Sequence, residues 1–233
     1  MEPARWTDSP YVGICIRPRA TIRAIVDSDP DPDSRAIKLV LIAAVVGAVT
    51  NTIRSYRYNP TAFTIANKPI PVAPPHASHP VSLWSLVVWP LLAIPILYIN
   101  GALLRWSGSM LGGTAKAVEV RAAIGWSSVL SIGLYLTSFV LSFLVMPSQY
   151  PTSLSMNAML AWWRSMWPSP IILTPLWLWS LIVWLESLGE VHRFSAWRAL
   201  GTWLIALLLL LGIVLVAVLA FGAIIRIFAA AAG

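Results

Sequence analysis

Runs of apolar residues long enough to cross a bilayer constrain this chain before any other feature does. They occupy residues 36–53, 81–104, 122–146, 171–188 and 203–225. An α-helix needs about 20 mostly apolar residues to span hydrocarbon. Water is absent there, so each spanning segment must satisfy its own backbone hydrogen bonds, which only helices and closed barrels achieve. The expected fold is therefore all-α: a polytopic bundle of five transmembrane helices with short amphipathic helices at the interface. Residues 1–35 form a cytoplasmic arm and 36–228 the membrane domain.

Composition agrees, with 58% hydrophobic and 11% charged residues. The formal charge of +7 then speaks to orientation and anionic lipid headgroups. No nucleic-acid-reading motif interleaves the basic residues, so a nucleic-acid partner is not expected. Cys15 is the single cysteine, which rules out an internal disulfide and a thiolate metal cluster. It reads as a small apolar residue, with lipidation as the alternative. Arginine outnumbers lysine thirteen to three beside abundant Ala, Leu and Val, a bias compatible with a GC-rich bacterial genome, and the expected location is the bacterial inner membrane.

Residues 1–33 lack the apolar core of a cleavable signal peptide. Pro18 can open a short helix with Ile22, Ile25 and Val26 on one side and Arg19 and Arg23 on another. Such a helix lies in the headgroup layer or packs on other protein, and the residues allow both. Asp33 or Ser34 should cap the first spanning helix, whose Ala43, Ala44, Gly47 and Ala48 form a close-packing face. Residues 54–80 hold Pro60, Pro69, Pro71, Pro74, Pro75 and Pro80 and read as an extended loop. His76 and His79 lie within it, too few ligands for a metal site.

Pro90 and Pro95 interrupt the second spanning run, and Asn100 near its end can hydrogen-bond across helices. Met156, Met159, Leu160, Trp163, Met166 and Trp167 recur at helical spacing, which predicts an interfacial helix over 154–167. Glu186 ends the fourth run, within expected reach of water or Arg193. The Lys and Arg residues on the arm's side number eleven against five on the other, which favours a cytoplasmic N-terminus.

The most distinctive connection is 105–129, RWSGSMLGGTAKAVEVRAAIGWSSV. Gly112-Gly113 should break the incoming helix, and Thr114 should cap the next. Arg105, Lys116 and Arg121 would then gather at a basic elbow, with Trp126 close to the headgroups. The pattern formed by Arg105, Trp106, Gly108, Leu111, Gly112 and Gly113, followed by Arg121 and Trp126, resembles the Yip1-domain family of integral membrane proteins, in its bacterial form. The stretch RPRATIRAIVDSDPD, with Pro18, Arg19 and Arg23, resembles the opening pattern of that family. The resemblance implies five membrane helices with a cytoplasmic N-terminal segment and a scaffolding, organising or trafficking role. Eukaryotic members act with Rab-type GTPases, but no GTPase-contacting residue carries over to this chain.

Nothing in the sequence supplies a catalytic constellation. There is no H-E-x-x-H, no G-x-S-x-G and no phosphate-binding loop, and no histidine lies inside an apolar run. The expectation is a non-enzymatic protein without cofactors. Its partners would be the bilayer, its anionic headgroups and a membrane or cytoplasmic protein, in a larger assembly or a homo-oligomer. The alternative is a transporter or channel subunit using the proline-broken second helix with Asn100 and Glu186.

Overall fold

A computed structural model describes residues 9–57, 63–65, 68–70, 79–144 and 156–231. These form eight helices: α1 (Pro10–Ile16), α2 (Pro18–Ser28), α3 (Pro32–Arg57), α4 (His79–Met110), α5 (Ala117–Leu144), α6 (Met156–Met166), α7 (Pro168–His192) and α8 (Ala196–Ala231). Five of them, α3, α4, α5, α7 and α8, carry segments long and apolar enough to cross a membrane. The protein is a multi-pass membrane protein with an all-helical framework. Two short strands, β1 (Phe63–Ile65) and β2 (Lys68–Ile70), pair antiparallel within the proline-rich connection. This hairpin was not expected, because proline density masked the short Phe-Thr-Ile run. The rest of that connection, with His76, lies outside the described residues.

Helix boundaries differ from the apolar runs wherever polar capping extends a helix into the interface. α3 begins at Pro32 instead of residue 36, because the Asp31 side chain accepts the Ser34 N–H at 3.1 Å. Asp31 is thus the cap, not Asp33 or Ser34, and proline at the first helical position has its φ preset. α4 continues through Trp106 to Met110, and both Pro90 and Pro95 lie inside the continuous helix. Thr114 is not the cap of α5. The Glu119 carboxylate reaches back to accept the Lys116 N–H at 2.8 Å, and the helix starts at Ala117. The link between α7 and α8 shrinks to residues 193–195, so Glu186, Glu190 and His192 all lie on α7.

α5 is the hub of the bundle. It packs on α3, α4 and α7, and the two arm helices α1 and α2 also rest on it. Its approach to α3 depends on Gly125: a Cβ there would lie 2.4 Å from the Ala36 Cα. Lipid tails are as apolar as leucine, so helices in a membrane associate through such close packing and not through hydrophobic transfer. The outer surface accordingly stays apolar and exposed, as at Trp177, Leu208 and Val216. α6 has the expected helical form, and its main packing partner among the spanning helices is α7.

Candidate functional site

The arm-side end of the bundle brings together the arm, the elbow and the α7–α8 link. Each helix supplies matched charges one turn apart. Residues four apart share a helix face, so Arg19 and Arg23 line one side of α2, and Glu186 and Glu190 line one side of α7. Arg19 pairs with Glu186, and the Arg23 Nε donates to the Glu190 Oε1 at 2.6 Å. Both pairs are separated by 167 residues, so α2 runs parallel to α7. The Arg19 Nη1 also lies 3.8 Å from the Glu190 Oε2, which ties the two pairs into one network.

Glu186 therefore pairs with Arg19 and not with Arg193, which stands exposed in a left-handed turn at φ 60°. The arm helix packs on protein instead of lying free in the headgroup layer. Ile22 is fully buried, Ile25 nearly so, and both join the central core. The Trp179 Nε1 donates to the Cys15 carbonyl at 3.2 Å, and the Tyr11 ring lies 5.4 Å from that of Trp126. Trp126 is consequently 2% exposed beneath α1, not displayed to headgroups as expected. Cys15 is half-buried, and burial pushes its thiol above its ordinary range. Less of it is thiolate at neutral pH, which reduces its nucleophilicity.

The elbow is built around a histidine. Leu111, Gly112 and Gly113 turn the chain, and the Gly113 N–H donates to the Gly108 carbonyl at 2.8 Å. Gly112 has φ +84°, a conformation that side-chain-bearing residues rarely adopt. Gly108 and Gly113 are glycines for a different reason. A Cβ at Gly108 would lie 2.2 Å from the His192 Cε1, and one at Gly113 would lie 2.4 Å from its Nδ1. His192 is 1% exposed and stacks on Phe194 with centroids 5.0 Å apart. The glycine pattern thus docks the end of α4 onto the end of α7.

Arg121 is not part of a basic cluster at the elbow. Its guanidinium donates to both Asp33 oxygens, at 2.6 and 3.0 Å, and lies 4.5 Å from the centre of the Tyr98 ring. Gly101 makes room for it, since a Cβ there would sit 2.8 Å from the Arg121 Cγ. This bidentate pair joins the start of α3 to α5, with α4 stacked against it. Arg105 and Trp106 are exposed, as is Lys116, while Leu111 is partly covered. Pro18 opens α2. Asn100 lines a cavity between α3, α4 and α5 and has no hydrogen-bond partner among the described residues.

Between α2, the start of α5 and the α7–α8 link lies a polar groove of about 670 Å³. Arg19, Arg23, Asp27, Glu119, Glu190 and Arg193 line it. The acids here are largely taken up: Glu186 and Glu190 by the arm, Asp33 by Arg121, and Asp29 by Arg35 at 3.1 Å. Arg17, Arg105, Lys116, Arg193 and Arg198 are exposed at this end and form no ion pair among the described residues. No group of three or more metal-ligating side chains occurs among the described residues.

Sequence reasoning missed Asp33 as a partner, Glu190 as a second anchor and His192 as the body that the glycines accommodate. The equal four-residue spacing of Arg19/Arg23 and Glu186/Glu190 was the available signal for the arm contact. A family model described as Yip1 domain matches residues 12–219. No curated protein matches the chain. No solved structure matches it either.

Proposed function

The chain belongs to the Yip1 domain family of multi-spanning membrane proteins, and from that membership and the arm-side geometry we propose a non-enzymatic membrane scaffold. Its working surface is the arm-side end, facing the cytoplasm, with Arg17, Arg105, Lys116, Arg193 and Arg198 presented to an acidic protein partner or to anionic headgroups. The observation that carries this reading is the division of charge. Glu186, Glu190, Asp29 and Asp33 are held in ion pairs, and the five exposed cations without an ion pair outnumber the remaining acids Asp27, Asp31 and Glu119 among the described residues, so the residual surface is positive. Such a surface steers an acidic partner and fixes its register. The positive-inside rule gives the same face to the cytoplasm. A role in membrane organisation or trafficking fits a surface built for recognition and not for chemistry.

The transporter reading receives less support. Glu186 is occupied by Arg19, and α4 stays helical through both prolines. A transport site in a broken helix needs unwound backbone that lines a cavity.

Replacing Arg105, Lys116 and Arg198 together with glutamate tests the scaffold reading. These side chains are exposed and unpaired, so the variant should accumulate normally in the membrane. Proteins crosslinked in native membranes through a photoreactive residue at Trp197, which is 81% exposed, should fall by about tenfold or more, the ratio that 1.4 kcal/mol represents. An unchanged crosslinking pattern would remove this surface from consideration.

A further inference from the structure

A second cavity, of about 570 Å³, lies inside the membrane span between α3, α4 and α5. Its volume is in the range of small-molecule sites. The small residues of α3 hollow it out: Ala43, Ala44, Gly47 and Ala48 line one wall. Gly47 cannot be larger without meeting the Tyr135 ring, which would stand 3.1 Å from its Cβ. Trp89 and Ile96, which also line the cavity, are 54% and 41% exposed. The space therefore opens sideways, toward lipid.

One end of this apolar cavity carries a cation. Arg54 lines it and donates to the Ser138 Oγ at 3.1 Å. No carboxylate among the described residues pairs with Arg54. The helical rise of about 1.5 Å per residue puts Arg54 roughly 30 Å along α3 from Asp33, one hydrocarbon thickness away. Arg54 thus sits at the headgroup level of the leaflet opposite the arm. With a single hydroxyl partner among the described residues, the guanidinium offers further donors in the fork geometry that fits a phosphate.

We infer that this cavity holds one glycerophospholipid, its phosphate on Arg54 and one acyl chain lying between α3, α4 and α5. The charge at the headgroup level selects the phosphodiester. The wall formed by the small residues of α3 with Trp89, Ala93 and Ile96 selects the chain, Asn100, Ser128 and Ser131 being polar breaks in an otherwise mostly apolar lining, and the lateral opening admits it from the bilayer. Neither feature alone defines a ligand; together they match an amphiphile with a negative head and a long tail.

The test uses the full chain reconstituted in vesicles of phosphatidylglycerol and phosphatidylethanolamine, then extracted and washed in mild detergent. Native mass spectrometry should find one retained phospholipid per chain. Arg54→Gln should retain about tenfold less, since hydrogen bonds to a charged group of this kind typically carry a factor of that order. Arg54→Lys should keep part of the binding. A phosphatidylglycerol with a photoreactive acyl chain should label the α3 segment around Ala44, and Ala44→Phe should abolish that label. Arg54→Gln adds no bulk, so it remains decisive if Ala44→Phe disturbs folding. Retention by Arg54→Gln equal to the parent, or equal retention of phosphate-free diacylglycerol, would overturn the assignment.

Discussion

Gly108→Ala is expected to destabilise the bundle by about 1–3 kcal/mol, the usual cost of overpacking a filled interior. The added methyl would lie 2.2 Å from the His192 Cε1, with the other ring atoms close behind. The ring cannot retreat easily, because it is stacked on Phe194 and almost fully buried. His192→Ala alone should also destabilise, by about 2–4 kcal/mol, because it leaves a cavity between α4 and α7. The informative protein is the double variant. With the ring removed, the Gly108 methyl enters empty space, and its effect should vanish or become slightly favourable. Unfolding of all four proteins in detergent gives the coupling energy directly. Strictly additive effects would mean that His192 is not what keeps Gly108 small. Gly112 should behave differently. Nothing lies within 4 Å of its missing Cβ, so Gly112→Asn, which tolerates positive φ, should be far milder than Gly112→Val.

Asp33→Ala should have an effect of similar size for an electrostatic reason. The Arg121 side chain is 13% exposed and that of Asp33 is 24% exposed. Removing the carboxylate strands a guanidinium between α3, α4 and α5. Breaking a fully buried pair typically costs about 3–5 kcal/mol, and the residual solvent contact here reduces that to about 2–3 kcal/mol. Replacing both partners, as Asp33→Leu with Arg121→Met, should recover most of the loss, because no uncompensated charge remains. Thermal unfolding monitored by tryptophan fluorescence separates the cases. If Asp33→Ala unfolded like the parent, the bidentate pair would be a surface contact and α3 would be held by its close packing on α4 and α5, as at Ala36 and Gly125.

Both effects come from contacts between residues distant in the chain, and that marks where sequence reading stopped. The spanning helices were legible because their requirement is local: a run of apolar side chains long enough for the hydrocarbon. The amphipathic segments of α2 and α6 were legible for the same reason. Capping was misplaced by a few residues, because the side chains of Asp31, Asp33, Ser34, Thr114 and Glu119 can all accept from the first N–H groups of a helix and only backbone geometry selects among them. α1 escaped notice since PYVGICI carries too few turns for periodicity to show. The glycines were seen as a break, which holds for Gly112. The reason for Gly108 and Gly113 lay some eighty residues away in His192. Glu186 was expected to meet water or its neighbour in sequence, Arg193, and found its partner in the arm instead.

The docking of the arm carries the whole account, because it turns acids inward and leaves the basic surface uncovered. Limited proteolysis of membrane vesicles tests it directly, on four proteins: the parent, Arg19→Glu with Arg23→Glu, Glu186→Arg with Glu190→Arg, and all four substitutions together. Only vesicles with the cytoplasmic face outward should expose the arm to protease. In these, the two half-reversed proteins should lose the arm at least about tenfold faster than the parent, since local opening governs cleavage. The fully exchanged protein, in which opposite charges again face each other across α2 and α7, should resist like the parent. Equal cleavage of all four would contradict the account, because the arm would then be free of α7 and the charge pairs incidental to its position.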